Sequence, residues 1–330
     1  MGTTMKREDR PAARRALLQS KSSDHKAKES LKRKEKHTMK TLKFGIEIEL
    51  TGITRETAAK VIADYFGTAS RYEGGTYRTY TAADNKGRTW KVMYDSSIRA
   101  EKKNGAPASE DYKTEVVSPI LTYGDIEDLQ EIVRQLRHKG AVANTSTGIH
   151  IHVGAEKFTP QTLRNIVNII ASKEDILYKA LKINQNRLRY CKKVNEELID
   201  MINRKKPKTM NDLADIWYTS QGADYERATH YNQSRYHGLN LHATFTKGTV
   251  EFRLFNSTTH AGKIKAYIQF CLAVSHQALT QKKASARRTT TDNEKYAFRC
   301  WMLRLGLIGD EFKTCRLHFL KHLEGNSAWR

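Results

Sequence analysis

Apolar and polar positions along the chain alternate with two distinct periods. In Leu42-Lys-Phe-Gly-Ile-Glu-Ile-Glu-Leu50 they alternate one by one, so Ile46 and Ile48 face one side of a strand while Glu47 and Glu49 face the other. Thr54 offers a helix cap, and Ala58, Val61, Ile62 and Tyr65 recur at helical spacing through 55–66. A hairpin with arms near 76–82 and 88–94 follows, with Asp84-Asn85-Lys86-Gly87 as its turn. Residues 112–121 read as a strand ending near Pro119, and Ile126, Leu129, Ile132, Val133 and Leu136 make 125–139 an amphipathic helix stopped by Gly140. Gly148-Ile-His-Ile-His-Val153 returns to the strand period, and Thr159-Pro160 opens a helix over 160–182. Shorter helices at 192–204 and 210–218, strands at 238–246 and 248–255 and a long helix at 262–281 complete the pattern. Strands interspersed with helices and hairpins predict an α+β fold with a mostly antiparallel sheet.

The boundaries follow from composition. Segment 1–40 holds 13 Lys or Arg against 5 acidic residues and almost no large apolar side chain beyond Leu17, Leu18 and Leu31. It cannot bury enough surface to offset its ordering entropy, so it is expected to be a basic, disordered tail. Residues 41–281 form the expected catalytic domain, 282–295 a polar linker and 296–330 a helical C-terminal segment. The tail lacks the apolar stretch of a secretory signal, and no segment reaches membrane-spanning length. The four cysteines, Cys191, Cys271, Cys300 and Cys315, show no CxxC spacing, so reduced thiols and a cytoplasmic location are expected. Over the whole chain 58 basic residues stand against 36 acidic ones, a net charge of +22 that attracts polyanions without selecting among ATP, nucleic acid, acidic lipid and acidic peptide.

The chemistry lies on the polar side of the strands. Glu47 and Glu49, Glu115, His150 and His152, and Glu251 and Arg253 each fall on one face of their strand, because period two aligns them. Singly, each pattern has an ordinary explanation: a solvated strand face, a structural histidine, or a cross-strand ion pair worth at most about 1 kcal/mol. Together on one sheet, four carboxylates and two imidazoles would cost several kcal/mol per unpaired charge. Cations relieve that cost, and hard divalent ions such as Mg²⁺ or Mn²⁺ suit oxygen ligands with an occasional imidazole. Gly45 and Gly148 beside these residues allow close backbone approach.

Six segments then carry a resemblance: Phe-Gly-Ile-Glu-Ile-Glu (44–49), Asp-Ser-Ser-Ile (95–98), Thr-Glu-Val-Val-Ser-Pro-Ile (114–120), Thr-Gly-Ile-His-Ile-His (147–152), Gly-Leu-Asn-Leu (238–241) and Thr-Val-Glu-Phe-Arg-Leu-Phe-Asn (249–256). In this order they resemble the motif set of the amidoligase family, carboxylate–amine ligases related to glutamine synthetase and glutamate–cysteine ligase. The resemblance covers about 42–280. It implies a glutamine synthetase-like catalytic domain, a curved, mostly antiparallel sheet with helices on the outer face, that holds ATP and two or three Mg²⁺ or Mn²⁺ ions. By the same resemblance Glu47 would share one ion with His150 and Glu251, and Glu49 another with Glu115 and Asp95. His152 would lie nearer the nucleotide, Arg253 would contact the transferred phosphate, and Arg235 and Asn240 would contact substrate or phosphate.

The implied reaction joins a carboxylate substrate to an amine substrate, whether amino acid, peptide or protein, through an acyl phosphate. A guanidino-kinase-like phosphotransferase would keep the fold and change the chemistry, and a metal-dependent nuclease or a basic nucleic-acid-binding protein would suit the charge. The basic tail could contact a polyanion. Deleting 1–40 is expected to leave turnover of a small substrate within a few fold, while weakening affinity for any polyanionic partner and its salt dependence. Hydrogen exchange checks the disorder itself, and protected tail amides would contradict it.

Overall fold

The computed structural model describes residues 38–328, which fall in two units, 1–41 and 42–330. Of the first unit only 38–41 are described, with a short 3-10 turn at Met39–Thr41, so the expected disordered tail otherwise lies outside the described residues. All that follows concerns the second unit.

Its eight strands are β1 (Phe44–Leu50), β2 (Ser70–Gly74), β3 (Thr79–Ala83), β4 (Thr89–Met93), β5 (Thr114–Val117), β6 (Gly148–Gly154), β7 (Leu239–Asn240) and β8 (Thr249–Asn256). They form one open sheet in the order β2-β3-β4-β5-β1-β6-β8-β7. Every pairing is antiparallel. The helices are α1 (Arg55–Phe66), α2 (Ile126–His138), α3 (Pro160–Leu181), α4 (Glu196–Lys205), α5 (Met210–Thr219), α6 (His242–Lys247), α7 (Ala261–Thr280), α8 (Glu294–Arg304) and α9 (Lys313–Leu320). Helix and antiparallel sheet are thus mixed as the sequence predicts.

Phe44, Ile46, Ile48 and Leu50 of β1 and Ile149, Ile151 and Val153 of β6 are all buried, which places the core on one side of the sheet. At about 1.5–3 kcal/mol for each large apolar side chain removed from water, this face drives the packing of helices onto the sheet. Helix α1 covers β2–β5, and α7 packs on β6. A helix that is apolar nearly all round must be covered all round. Helix α7 buries Ile264, Ile268, Phe270, Cys271, Leu272 and Val274, and lies among α2, α3 and α9. The rings of Phe298, Trp301 and Phe319 close over Phe270 from α8 and α9. All four cysteines are free thiols, three of them buried, and among the described residues no helix is long and apolar enough to cross a membrane.

Three local readings change. The sequence gives no strand at 70–74, yet β2 pairs there with β3, because an edge strand needs only one partner and carries no buried alternation. The expected strand 238–246 ends after Asn240 and becomes α6: the Asn240 side chain accepts the His242 backbone N–H at 2.8 Å, which turns the chain, and Gly248 closes the helix in the left-handed region at φ 68°. The strand over 112–121 shortens to β5, since Pro119 has no backbone donor; the Ser118 hydroxyl instead accepts the Ile46 N–H at 2.9 Å.

One buried carboxylate ties the hairpin to the helices. Asp125, at the start of α2, accepts hydrogen bonds from Lys86, from Arg88 through two nitrogens, and from the backbone N–H and hydroxyl of Thr122. Burial alone raises its carboxyl, but Arg88 and Lys86 outweigh it and hold the group below the ordinary carboxylate range. Asp125→Asn is expected to cost about 2–3 kcal/mol, less than a fully buried ion pair because both cations are partly exposed. A depressed carboxyl contributes stability that is present above its unfolded pKa and lost as pH falls toward the folded one. Urea unfolding of both forms should therefore show their difference shrinking below about pH 4.

Candidate active site

The polar face is built by register. Glu47 lies opposite His150, Glu49 opposite Glu115, and His152 opposite Glu251, while Asn240 of β7 lies opposite Glu251 on its other side. Directly opposed residues share a face, so β5, β1, β6, β8 and β7 deliver these side chains to one surface. Between Ile149/Phe255 and Ile151/Phe252 the β6–β8 register shifts by a bulge. The extra residue lets Phe252 and Phe255 both serve the core while Glu251 and Arg253 turn to the polar face.

The contacts are short. His150 Nδ1 lies 2.9 Å from Glu47 Oε2, His150 Nε2 3.5 Å from Glu49 Oε1, and His152 Nε2 3.2 Å from Glu47 Oε1 and 3.8 Å from Glu251 Oε1. Both oxygens of Glu251 accept hydrogen bonds of 2.6 Å, one from Arg253 Nη1 and one from Asn240 Nδ2. Glu49 Oε2 accepts the Gly148 backbone N–H, also at 2.6 Å. Lys247 Nζ lies 3.9 Å from Glu47.

Charge is unevenly compensated along this row. Burial by itself raises the Glu251 carboxyl, but Arg253 and the two histidines bring it down to about 2. Glu47 is likewise held well below the ordinary range, His152 and His150 outweighing its burial. Glu49 moves the other way: burial, with Asp95 nearby, pushes it up to about 7 against the pull of Arg187. Glu115 is raised well above the usual value by burial and by Glu47, Asp95 and Glu49, and among the described residues it has no hydrogen-bond or ion-pair partner. Burial and Arg253 lower His150 to about 4, so its imidazole is neutral near pH 7, whereas Glu251 and Glu47 overcome burial to raise His152.

The same side chains form groups that could hold cations. Three sets of side chains each bring ligand atoms within 4.8 Å of one another: Glu47, His152 and Glu251; Glu47, Glu115 and His150; and Glu49, Asp95 and Glu115. Opposite ligands of an octahedral Mg²⁺ are about 4.2 Å apart, so each set needs only small adjustment to close on an ion. Glu115, which has no partner among the described residues, is the group a cation would satisfy. Bound cations would also reverse the upward shifts of Glu49 and Glu115.

Of the residues singled out from sequence, Glu47, Glu49, Asp95, Glu115, His150, His152, Glu251, Arg253 and Asn240 converge here. His152 stands among the carboxylates rather than apart from them. Arg235 is the exception: it donates to the His230 carbonyl and lies over the rings of Tyr231 and Tyr236 within its own loop. Sequence reasoning missed Arg187. Buried on a 3-10 turn after α3, it reaches to 3.8 Å from Glu49 and donates to the Arg253 carbonyl at 3.1 Å. Its guanidinium fills the space above Gly148, where an added Cβ would meet it at 2.1 Å. The one available signal was Gly148 itself, a strand glycine leaving room for something large.

The sheet and its polar face lie within the segment matched by one protein family. Residues 40–275 match the model of the family described as "Putative amidoligase enzyme", and the chain belongs to that family. No curated protein matches the chain. Among solved structures, a bifunctional glutathione synthetase from Pasteurella multocida is similar with a TM-score of 0.40 and 11% identity, over 86% of this chain and 47% of that one. The chain thus spans about half the length of the structure it matches.

Cation binding can be checked without any substrate. Titrated Mn²⁺ is expected to raise the unfolding temperature by mass action, since only the folded chain assembles the ligand sets. A proton must leave Glu49, whose carboxyl titrates near 7, before a cation binds there, so the apparent affinity should be about tenfold or more higher at pH 8 than at pH 5.5. Absence of any Mn²⁺-dependent shift at pH 8 would contradict the site.

Proposed function

We propose that this chain is an ATP- and Mg²⁺-dependent carboxylate–amine ligase that forms an amide or peptide bond through an acyl phosphate, on a sheet of the glutamine synthetase catalytic type. The observation that carries this reading is the row from Asn240 to Glu115, in which an orphaned carboxylate and a buried arginine share one face. Family membership supports amide formation over the phosphotransferase and nuclease alternatives.

Residues 41–281 would carry the chemistry. The three ligand sets would hold two or three Mg²⁺ or Mn²⁺ ions, with Glu47 and Glu115 each shared between two sets. Bound there, the ions would neutralise phosphate oxygens and hold the γ-phosphoryl donor in line with the acceptor carboxylate. Arg253 is fixed by Glu251 and its guanidinium stays charged, so it is placed to stabilise negative charge developing on the transferred group. Asn240 locks Glu251 from the other side, which leaves the ligand little rotational freedom. His150, neutral near pH 7, serves as a ligand without needing to lose a proton. Rigid strands supply the positioning that phosphoryl transfer and amine attack require.

The fate of the acid's oxygen tests this reading. With an acyl phosphate on the path, a substrate carboxylate labelled with ¹⁸O hands one labelled oxygen to inorganic phosphate, because the phosphate departs with the oxygen through which it was attached. Glu251→Gln keeps the shape of the side chain but removes its charge, and is expected to abolish ATP turnover with the fold retained by circular dichroism. Amide product with unlabelled phosphate would rule out the acyl-phosphate route.

A further inference from the structure

A cavity of about 400 Å³ adjoins the Glu49 end of the row, lined by Ser97, Arg99, Ser146, Asn186, Arg189 and Tyr190 among others. Its three wall segments are the ones that reach the polar face. The 95–99 loop carries Asp95, whose carboxylate accepts the Ser97 N–H at 2.7 Å; the 144–148 turn ends at Gly148, which donates to Glu49; and the 185–190 turn carries Arg187, 3.8 Å from Glu49. The walls are tied to each other as well, since the Arg99 N–H donates to the Ser146 hydroxyl at 2.9 Å.

Its lining has a definite chemical character. Two guanidiniums, hydroxyls and side-chain amides surround it, and among the described residues no carboxylate lines it. Among the described residues Arg189 has no carboxylate partner; its guanidinium lies 4.7 Å from the centre of the Tyr190 ring, which orients it without neutralising it. Among the described residues the Arg99 guanidinium pairs with Glu101 alone, and its own exposed position lets it exchange that partner for a ligand. The volume falls at the small end of ligand pockets, room for a small acid or the acidic end of a peptide.

We infer that this cavity receives the acid substrate, that the acid carries a second carboxylate besides the one that reacts, and that Arg99 and Arg189 select it by binding that second group. The inference rests on the ligase reading above. A guanidinium fork matches a carboxylate in two parallel hydrogen bonds, and the neighbouring Ser97 and Ser146 add hydroxyls to the same walls. Bound in this way, the acid would turn its reacting carboxylate toward the Glu49 end of the row, which the three wall segments reach.

The test uses the full chain with ATP, Mg²⁺ and a pool of amines, and compares L-glutamate and glutarate with butyrate and L-norvaline, which lack the second carboxylate. Phosphate release and products lighter than their summed precursors by one water are followed. The diacids are expected to be preferred. Arg189→Gln and Arg99→Gln should each raise KM for the diacid about 10- to 100-fold, the range for losing one charge-assisted hydrogen bond, with KM for ATP unchanged. Calorimetric titration of glutarate should show the same loss of affinity in the variants without any turnover. Preference for the monoacids, or diacid KM and glutarate binding unmoved by both substitutions, would overturn the inference while leaving the ligase reading intact. Phosphate release with no acid in the pool would sink both.

Discussion

Like charges forced onto one face of a sheet are the constraint around which this molecule is arranged. Antiparallel register sets Glu47, Glu49 and Glu115 on adjoining strands, with Asp95 beside them. Carboxylates so close cannot all remain ionised without counter-charge, and each unrelieved one costs several kcal/mol. The fold answers at one end of the row with Arg253, Asn240 and the two histidines, which hold Glu251 and Glu47 ionised. At the other end Arg187 offsets Glu49 only in part, and among the described residues Glu115 is left without a partner. The incompletely compensated carboxylates are therefore gathered at a defined place.

Keeping like charges in place requires rigidity, and the apolar face supplies it. The strands that carry the carboxylates bury Ile46, Ile48, Ile149 and Ile151 on their reverse side, under a layer in which α7 is covered on nearly every side. A ligand on such a strand cannot drift without disturbing the core, where packing is dense and displacement costly. The bulge in β8 serves both layers, since it returns Phe255 to the core while leaving Glu251 and Arg253 on the polar side. Core and site are two faces of the same register.

Longer-range folding adds what the strands lack. Arg187 arrives from the turn after α3 and occupies the volume that Gly148 vacates, bringing a cation to the side of Glu49 that no neighbouring strand could supply. Asp95 arrives from a loop after β4. The same turns shape the basic cavity beside Glu49, so one set of connections closes the carboxylate row and borders the space next to it. The strongly basic composition of the chain is consistent with a protein whose ligands are anions.

The sequence by itself determined which residues share a face, because period two in a strand depends only on the positions of neighbours: Glu47 with Glu49, His150 with His152, Glu251 with Arg253. It also determined the long helices, whose caps and spacing are local, and the ordered motifs that mark the amidoligase family. Only the tertiary structure decided which carboxylates meet which imidazoles, since strand order and register depend on pairings such as Glu49 with Glu115, His152 with Glu251 and Glu47 with His150, 66 to 103 positions apart. It alone decided that β2 pairs at the edge, that the chain turns into a helix after Asn240, and that Arg187 joins the row. Those outcomes turn on which polar group finds its partner across the fold, and no local period records that.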